Sequence, residues 1–266
     1  MVQALIWALA LAGAAYASVL AALWWHQEAL LFQPTPLPAD AALPTGPDVQ
    51  EKRVAVPGAE LSVLELRLPR PRGVVFFLHG NAGNLQSWFV NLDLYRQAGF
   101  DLVMPDYRGY GRSTGRIESQ AQLQADMAAV WRSVAPRYAG KRVVFFGRSL
   151  GTGLAAQLAT EVQPDLTVLV SPYASLQALA AEQYPWVPGG LLRYPMRTDL
   201  ALPQLKRPVL LVHGEQDRLI RPAHSERLRQ LQPAVQVVRV PGAGHNDLQD
   251  FPRYRQVLAE ALARLP

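Results

Sequence analysis

The chain contains no cysteine. That absence excludes disulfides, cysteine-ligated zinc, iron–sulfur clusters and a thiol nucleophile. It does not fix the compartment, because a cysteine-free chain suits oxidising and reducing surroundings alike. Charge is also scarce: Asp, Glu, Lys and Arg make up 18% of 266 residues, against 50% hydrophobic residues. Such a chain is too apolar for a disordered protein. The net charge is +5, carried almost wholly by Arg, yet no basic run stands out and nucleic-acid binding is not indicated. Attraction to an anionic membrane surface fits that charge better. Histidine is limited to five scattered residues. None forms the His-x-x-x-His spacing of a metal hydrolase, and no motif calls for a metal or another cofactor. The length suits one large α/β domain, or at most two small ones.

What is present begins with an apolar run. Val2 to Trp25 carries no charged residue. A helix over it is ~36 Å long, enough for a ~30 Å hydrocarbon core. Trp24 and Trp25 close the run, where amphipathic rings prefer the membrane interface. The rival reading is a cleaved signal peptide, since Ala15-Tyr16-Ala17 has the small-x-small spacing of a cleavage site. Against it, no Lys or Arg precedes the run, and hydrophobicity continues through Val19, Leu20 and Leu23. A lone amphipathic surface helix is a third reading. We read residues 1–26 as a single-pass membrane anchor, expected in a bacterial inner membrane. Its orientation is weakly coded, because the nearest basic residues are Lys52 and Arg53. Within residues 27–50, Pro34, Pro36, Pro38, Pro44 and Pro47 deny the fourteen residues they span a helix or a central strand. This stretch is expected to be an extended Pro-rich linker, possible also as a tail packed on the domain surface.

From residue 51 to 266 the pattern is that of one domain. Arg53–Val56 and Leu61–Leu68 read as early strands, with Pro57-Gly58 as the turn between them. Apolar runs follow at Val74–Leu78, Asp101–Met104, Val143–Phe146, Leu166–Val170, Val209–Val212 and Val235–Val240. Runs without polar alternation predict strands buried on both faces. Between them, Leu123, Met127, Val130, Trp131 and Val134 form one stripe of a helix over Ser119–Val134. Leu248, Phe251, Tyr254, Val257, Leu258 and Leu262 repeat the pattern at the end of the chain. Strands alternating with helices predict an α/β fold, with a mainly parallel eight-stranded sheet covered on both sides. Ligands in such sheets bind beyond the carboxyl ends of the strands.

Polar motifs gather at those ends. Gly147-Arg148-Ser149-Leu150-Gly151 fits Gly-x-Ser-x-Gly, between an apolar strand and an Ala-rich helix (Thr152 to Thr160). A serine on such a sharp turn is strained and exposes its hydroxyl, while the glycines avoid collisions as the chain reverses. The plainer reading, a serine that only caps the helix, does not account for the partners that follow in order. Asp217 and His245 lie in the loops after the next two strands from the Leu166–Val170 run onward. Ser149, Asp217, His245 is the order expected for this turn on this kind of sheet. His245 would move the Ser149 proton, and Asp217 would hold the imidazole tautomer and stabilise its cation. Glu215 is the alternative acid. Backbone N–H groups of Asn81 and Leu150 are assigned to an oxyanion hole, Asn81 from the loop His79-Gly80-Asn81-Ala82-Gly83-Asn84. That loop is no phosphate cradle, because Gly-x-x-x-x-Gly-Lys-Ser/Thr is absent. Asp106, in Asp106-Tyr107-Arg108-Gly109-Tyr110-Gly111, is expected to pin a glycine-rich turn. His26 flanks the apolar run, His79 and His213 should bond loop backbone, and His224 should be solvated at a helix start. Asp247 should cap or lie at the surface.

Together these motifs resemble the α/β-hydrolase superfamily, over about residues 50 to 266. The branch they resemble is the membrane-anchored serine hydrolases with an N-terminal hydrophobic segment. The resemblance implies a Ser149–His245–Asp217 triad acting on acyl esters or thioesters, as in esterases, lipases, thioesterases and depalmitoylating enzymes. It does not specify the substrate. No segment is long enough for a large lid. Residues 172–206 read as a small cap, with a short helix (Ala174 to Glu182) and with Tyr173 and Trp186 as one wall of an apolar acyl pocket. Ordinary packing over the sheet edge is the alternative. The implied partners are a small-molecule or lipid acyl ester and the membrane. A cofactor-free haloperoxidase, an acyltransferase and a non-catalytic scaffold are the competing functions on this fold.

Overall fold

A computed structural model of the chain describes residues 1–265. The apolar run forms helix α1 (Val2–Trp25), which buries none of its residues. His26 ends it, and a short helix α2 (Gln27–Leu31) follows.

Eight strands form the central sheet: β1 (Val49–Val56), β2 (Ala59–Leu66), β3 (Gly73–Leu78), β4 (Phe100–Pro105), β5 (Arg142–Arg148), β6 (Leu166–Val170), β7 (Val209–Gly214) and β8 (Gln236–Val240). Their spatial order is β8-β7-β6-β5-β3-β4-β2-β1. Only the pairings of β2, with β1 and with β4, are antiparallel. The sheet crosses over between β3 and β5, so the loops after both strands meet at one edge.

Each parallel strand sends alternate side chains to two core layers, as a period of two requires. Val74, Phe76 and Leu78 enter one layer, and Val75 and Phe77 the other. Helices α4 (Gln120–Val134), α5 (Leu150–Val162) and α7 (Ala223–Leu231) cover the first layer, and α3 (Leu92–Ala98) and α8 (Pro252–Ala263) the second. Helix α6 (Leu176–Gln183) stands over the carboxyl edge and has no fully buried residue. In α4 the side chain of Ser119 accepts a hydrogen bond from the Gln122 N–H, and the expected apolar stripe is buried. The last stripe begins later than its periodicity suggests. Leu248 belongs to a separate turn, and the helix starts at Pro252, whose missing N–H suits a first helical position.

Part of the expected Pro-rich linker packs on the domain surface. Phe32 is buried and meets Tyr194 edge-on, with ring centroids 5.0 Å apart. Gln33 and Pro34 pair with Ala82 and Gly83 as a two-residue parallel strand. Leu37 N–H donates to the Gly111 carbonyl and Gly111 N–H to the Thr35 carbonyl, at 2.7 and 3.1 Å. The prolines do not prevent this. They keep their carbonyls, their fixed φ is extended, and the residues between them supply the N–H groups.

Candidate active site

Ser149 sits between β5 and α5 with φ 50° and ψ −116°. That backbone conformation is unfavourable for a residue with a Cβ, and the surrounding chain has to impose it. The glycines show how tightly it is held. A Cβ on Gly151 would lie 2.0 Å from the Leu78 carbonyl oxygen, and one on Gly147 2.5 Å from the Gly151 carbonyl oxygen. Ser149 makes no side-chain cap to its helix, so the capping explanation fails.

The hydroxyl is instead engaged by His245. Ser149 Oγ lies 3.0 Å from His245 Nε2, and His245 Nδ1 lies 2.7 Å from Asp217 Oδ2. These contacts assign the proton to Nδ1, leaving Nε2 to accept from the serine. The other carboxylate oxygen, Asp217 Oδ1, accepts the N–H groups of Leu219 and Ile220, at 3.0 and 2.8 Å. Burial of Asp217 opposes its charge. Hydrogen bonds from His213 and His245 outweigh that penalty, with help from the Ile220 N–H, and hold the carboxyl well below the ordinary carboxylate range. Glu215, the alternative acid, is exposed.

The His79–Asn84 loop closes over the serine. A Cβ on Gly80 would be 3.7 Å from Ser149 Cβ. Among the described residues, the backbone N–H groups of Asn81 and Leu150 donate to no protein acceptor. The Asn81 side chain is engaged elsewhere. Its Nδ2 donates to the Leu31 carbonyl at 2.6 Å, while its Oδ1 accepts from Tyr110 and from the Gln33 N–H. Asp106 pins the same loop: its carboxylate accepts the Leu85 N–H at 3.1 Å and lies 3.3 Å from His79 Nε2. His79 Nδ1 is bonded to the Gly80 carbonyl, as expected of a loop-bonding histidine.

Three placements differ from the sequence reading. Tyr173 does not line a surface pocket. It is fully buried, and its hydroxyl donates to the Leu150 carbonyl at 2.9 Å. Ser171, two residues earlier, has a left-handed φ of 50°. Trp186 is half exposed on the cap. His224 is buried rather than solvated, with Nδ1 accepting the Ala174 N–H at 3.2 Å, and burial pulls its pKa below the usual imidazole value. His213 does bond a loop carbonyl, that of Ile220, but it also meets Asp217 at 3.4 Å and Ser225 Oγ at 2.7 Å. Asp247 caps its loop by accepting the Gly244 N–H at 2.7 Å.

Arg148 escaped sequence reasoning. Its guanidinium is buried, donates to Ser171 Oγ at 2.7 Å, and also donates to the His245 carbonyl. Burial lowers its pKa, opposed by Tyr254, Asp217 and Asp247. The only sequence signal was a cation at the end of a buried strand, which is rare without a polar partner.

This fold and this constellation define a class, and comparison with known proteins agrees. A family model described as serine aminopeptidase, S33, matches residues 69–198, and one described as alpha/beta hydrolase fold matches residues 171–252. An uncharacterized protein of Mycobacterium tuberculosis is 33% identical over 243 residues, 86% of this chain and 84% of its own length. Alpha/beta hydrolase domain-containing protein 17B of Xenopus laevis is 29% identical, over 74% of this chain and 68% of its own. An esterase of Pyrococcus furiosus superposes with a TM-score of 0.69 at 19% identity, covering 88% of this chain and 97% of its own. The chain belongs to the α/β-hydrolase superfamily.

Proposed function

We propose that the chain is a membrane-anchored serine hydrolase, cleaving carboxylic esters or thioesters through an acyl-enzyme. The observation that carries this reading is the continuous relay from Asp217 through His245 to the strained Ser149, with contacts of 2.7 and 3.0 Å. A serine used only for packing would need neither the imidazole nor the strain.

In the first half-reaction, Ser149 Oγ bonds to the acyl carbon while His245 Nε2 takes its proton. The carbonyl oxygen becomes an oxyanion, held by the N–H groups of Asn81 and Leu150, which have no acceptor among the described residues. His245 then returns the proton to the departing alcohol or thiol as the C–O or C–S bond breaks. Water repeats the sequence on the acyl-enzyme, giving its proton to His245 and releasing the acid and Ser149. Asp217 stays ionised throughout and stabilises the imidazolium. Tyr173 supports α5, its hydroxyl donating to the Leu150 carbonyl.

Residues 1–26 anchor this machinery to a membrane. Helix α1 is long and apolar enough to span one, and none of it is buried in the protein. Residues 27–50 connect it to the catalytic domain of residues 51–266, with its cap at about 172–206.

The test is hydrolysis of p-nitrophenyl esters from acetate to palmitate, with Ser149→Ala as the blank. Loss of turnover on the order of 10⁶-fold in that variant is expected if the triad acts as a unit. Near-normal turnover by Ser149→Ala would overturn the assignment.

A further inference from the structure

We propose that the tip of the cap, residues 184–192, lies in the lipid phase beside α1 and forms a second contact with the bilayer. The proposal rests on the reading of α1 as a membrane anchor. It goes beyond that reading by placing part of the catalytic domain inside the membrane.

The first observation is the course of the tip along the helix. Tyr16 Oη donates to the Trp186 carbonyl at 2.7 Å, and Gln27 Nε2 donates to the Leu191 carbonyl at 2.8 Å. Tyr16 and Gln27 lie on one face of the helical segment, together with Leu20 and Leu23, which are partly covered while most of α1 is bare. The tip therefore runs beside the last third of α1. Tyr16 lies nine residues before Trp25 in the sequence, or ~13 Å along the axis. With the Trp24–Trp25 pair at the interface, that level is within a ~30 Å hydrocarbon core.

The second observation is chemical. Between Glu182 and Arg193 there is no charged residue. Tyr184 and Trp186 are 53% and 50% exposed, an unusual pairing of large rings on one loop of a water-facing surface. The charges resume at the expected waterline. Arg193 is paired with Glu28 at 3.0 Å, and its guanidinium lies 5.3 Å from the Trp24 ring centroid.

The third observation concerns the backbone, because unpaired N–H and carbonyl groups are costly in lipid. Pro185 and Pro188 carry no N–H. The N–H groups of Tyr184, Val187 and Leu191 donate to the carbonyls of Ala180, Tyr184 and Pro188, at 2.7, 2.9 and 3.0 Å. The Trp186 carbonyl receives the Tyr16 hydroxyl, and the same bond satisfies the one phenol within α1.

The absence of cysteine makes the test direct. Single variants Leu9→Cys in α1, Tyr184→Cys in the tip and Gln230→Cys are labelled with an environment-sensitive fluorophore. Gln230 is near the end of α7, just before β8 begins, and so at the opposite edge of the sheet. Each full-length variant is shown to keep its thermal transition. It is then reconstituted in phosphatidylcholine vesicles, with and without nitroxide groups on the acyl chains. The labels at positions 9 and 184 are expected to lose most of their emission to the nitroxide, and the label at 230 to keep it. Quenching at 9 with none at 184 overturns the proposal and leaves the anchor standing. No quenching at 9 overturns both.

Discussion

Asn81 and Leu31 are joined by a 2.6 Å hydrogen bond from the Asn81 amide to the Leu31 carbonyl. The bond links the loop that covers Ser149 to α2, which follows the apolar helix α1. The Gln33 N–H returns to Asn81 Oδ1 at 3.2 Å, and Tyr110 adds a third contact at 2.9 Å. The N–H proposed to hold the oxyanion is thus carried by a residue whose side chain is clamped by the segment that follows α1.

Asn81→Ala keeps that N–H but releases the clamp. We expect kcat on a soluble short-chain ester to fall by about tenfold with KM little changed, since a displacement of a fraction of an ångström weakens only the transition-state contact. The lost hydrogen bonds should also cost roughly 1–2 kcal/mol of stability. Steady-state kinetics beside thermal unfolding separates the two effects. An unchanged kcat would mean that the clamp has no part in catalysis.

Asp217 carries a prediction for acid. Its folded-state pKa is depressed, so its contribution to stability is complete above the unfolded value of about 3.9. It is lost as pH falls through the depressed folded value. The stability advantage of the natural chain over Asp217→Asn should therefore be constant near neutrality and shrink below about pH 4. Urea unfolding of both chains from neutral pH downward measures this. At neutral pH the same variant should lose on the order of 10⁴ in kcat, because the amide favours the wrong imidazole tautomer.

Arg148 is a positioning residue in this scheme. Its two donor contacts, to Ser171 Oγ and to the His245 carbonyl, hold the loop that presents the imidazole. Arg148→Met should fill the space yet leave that loop untied, lowering kcat on the order of 10²-fold at nearly constant KM. Arg148→Lys should recover little, since one ammonium does not reproduce a two-pronged planar donor. Equal activity of all three chains would remove Arg148 from the mechanism.

Much of the fold was legible because buried parallel strands leave uninterrupted apolar runs, and each run ended near an observed strand end. The relay was legible for a related reason: Ser149, Asp217 and His245 each follow such a run. What stayed hidden depended on distant partners. Asn81 gave no sign of its tie to Leu31, fifty residues earlier. His224 looked solvated among charged neighbours, yet its partner is the Ala174 N–H across the fold. Tyr173 read as a pocket wall because an aromatic in a loop suits either role, yet its hydroxyl partner is the Leu150 carbonyl, twenty-three residues earlier.

The pair formed by Arg108 and Asp126 was equally invisible, and it supports the loop that holds Asn81 in place. The guanidinium grips both carboxylate oxygens at 2.5 and 2.8 Å, and it also donates to the Pro57 carbonyl. Both side chains are buried, so removing one partner strands a charge without water. Asp126→Ala should destabilise the chain by roughly 3–5 kcal/mol. Replacing both partners by apolar residues, as Arg108→Met with Asp126→Leu, should cost clearly less, because no charge is then left unpaired. Thermal unfolding of Arg108→Met, Asp126→Leu and the double variant decides the matter. If the double variant loses the sum of the single losses, the two side chains act independently and the pair is not what holds the turn.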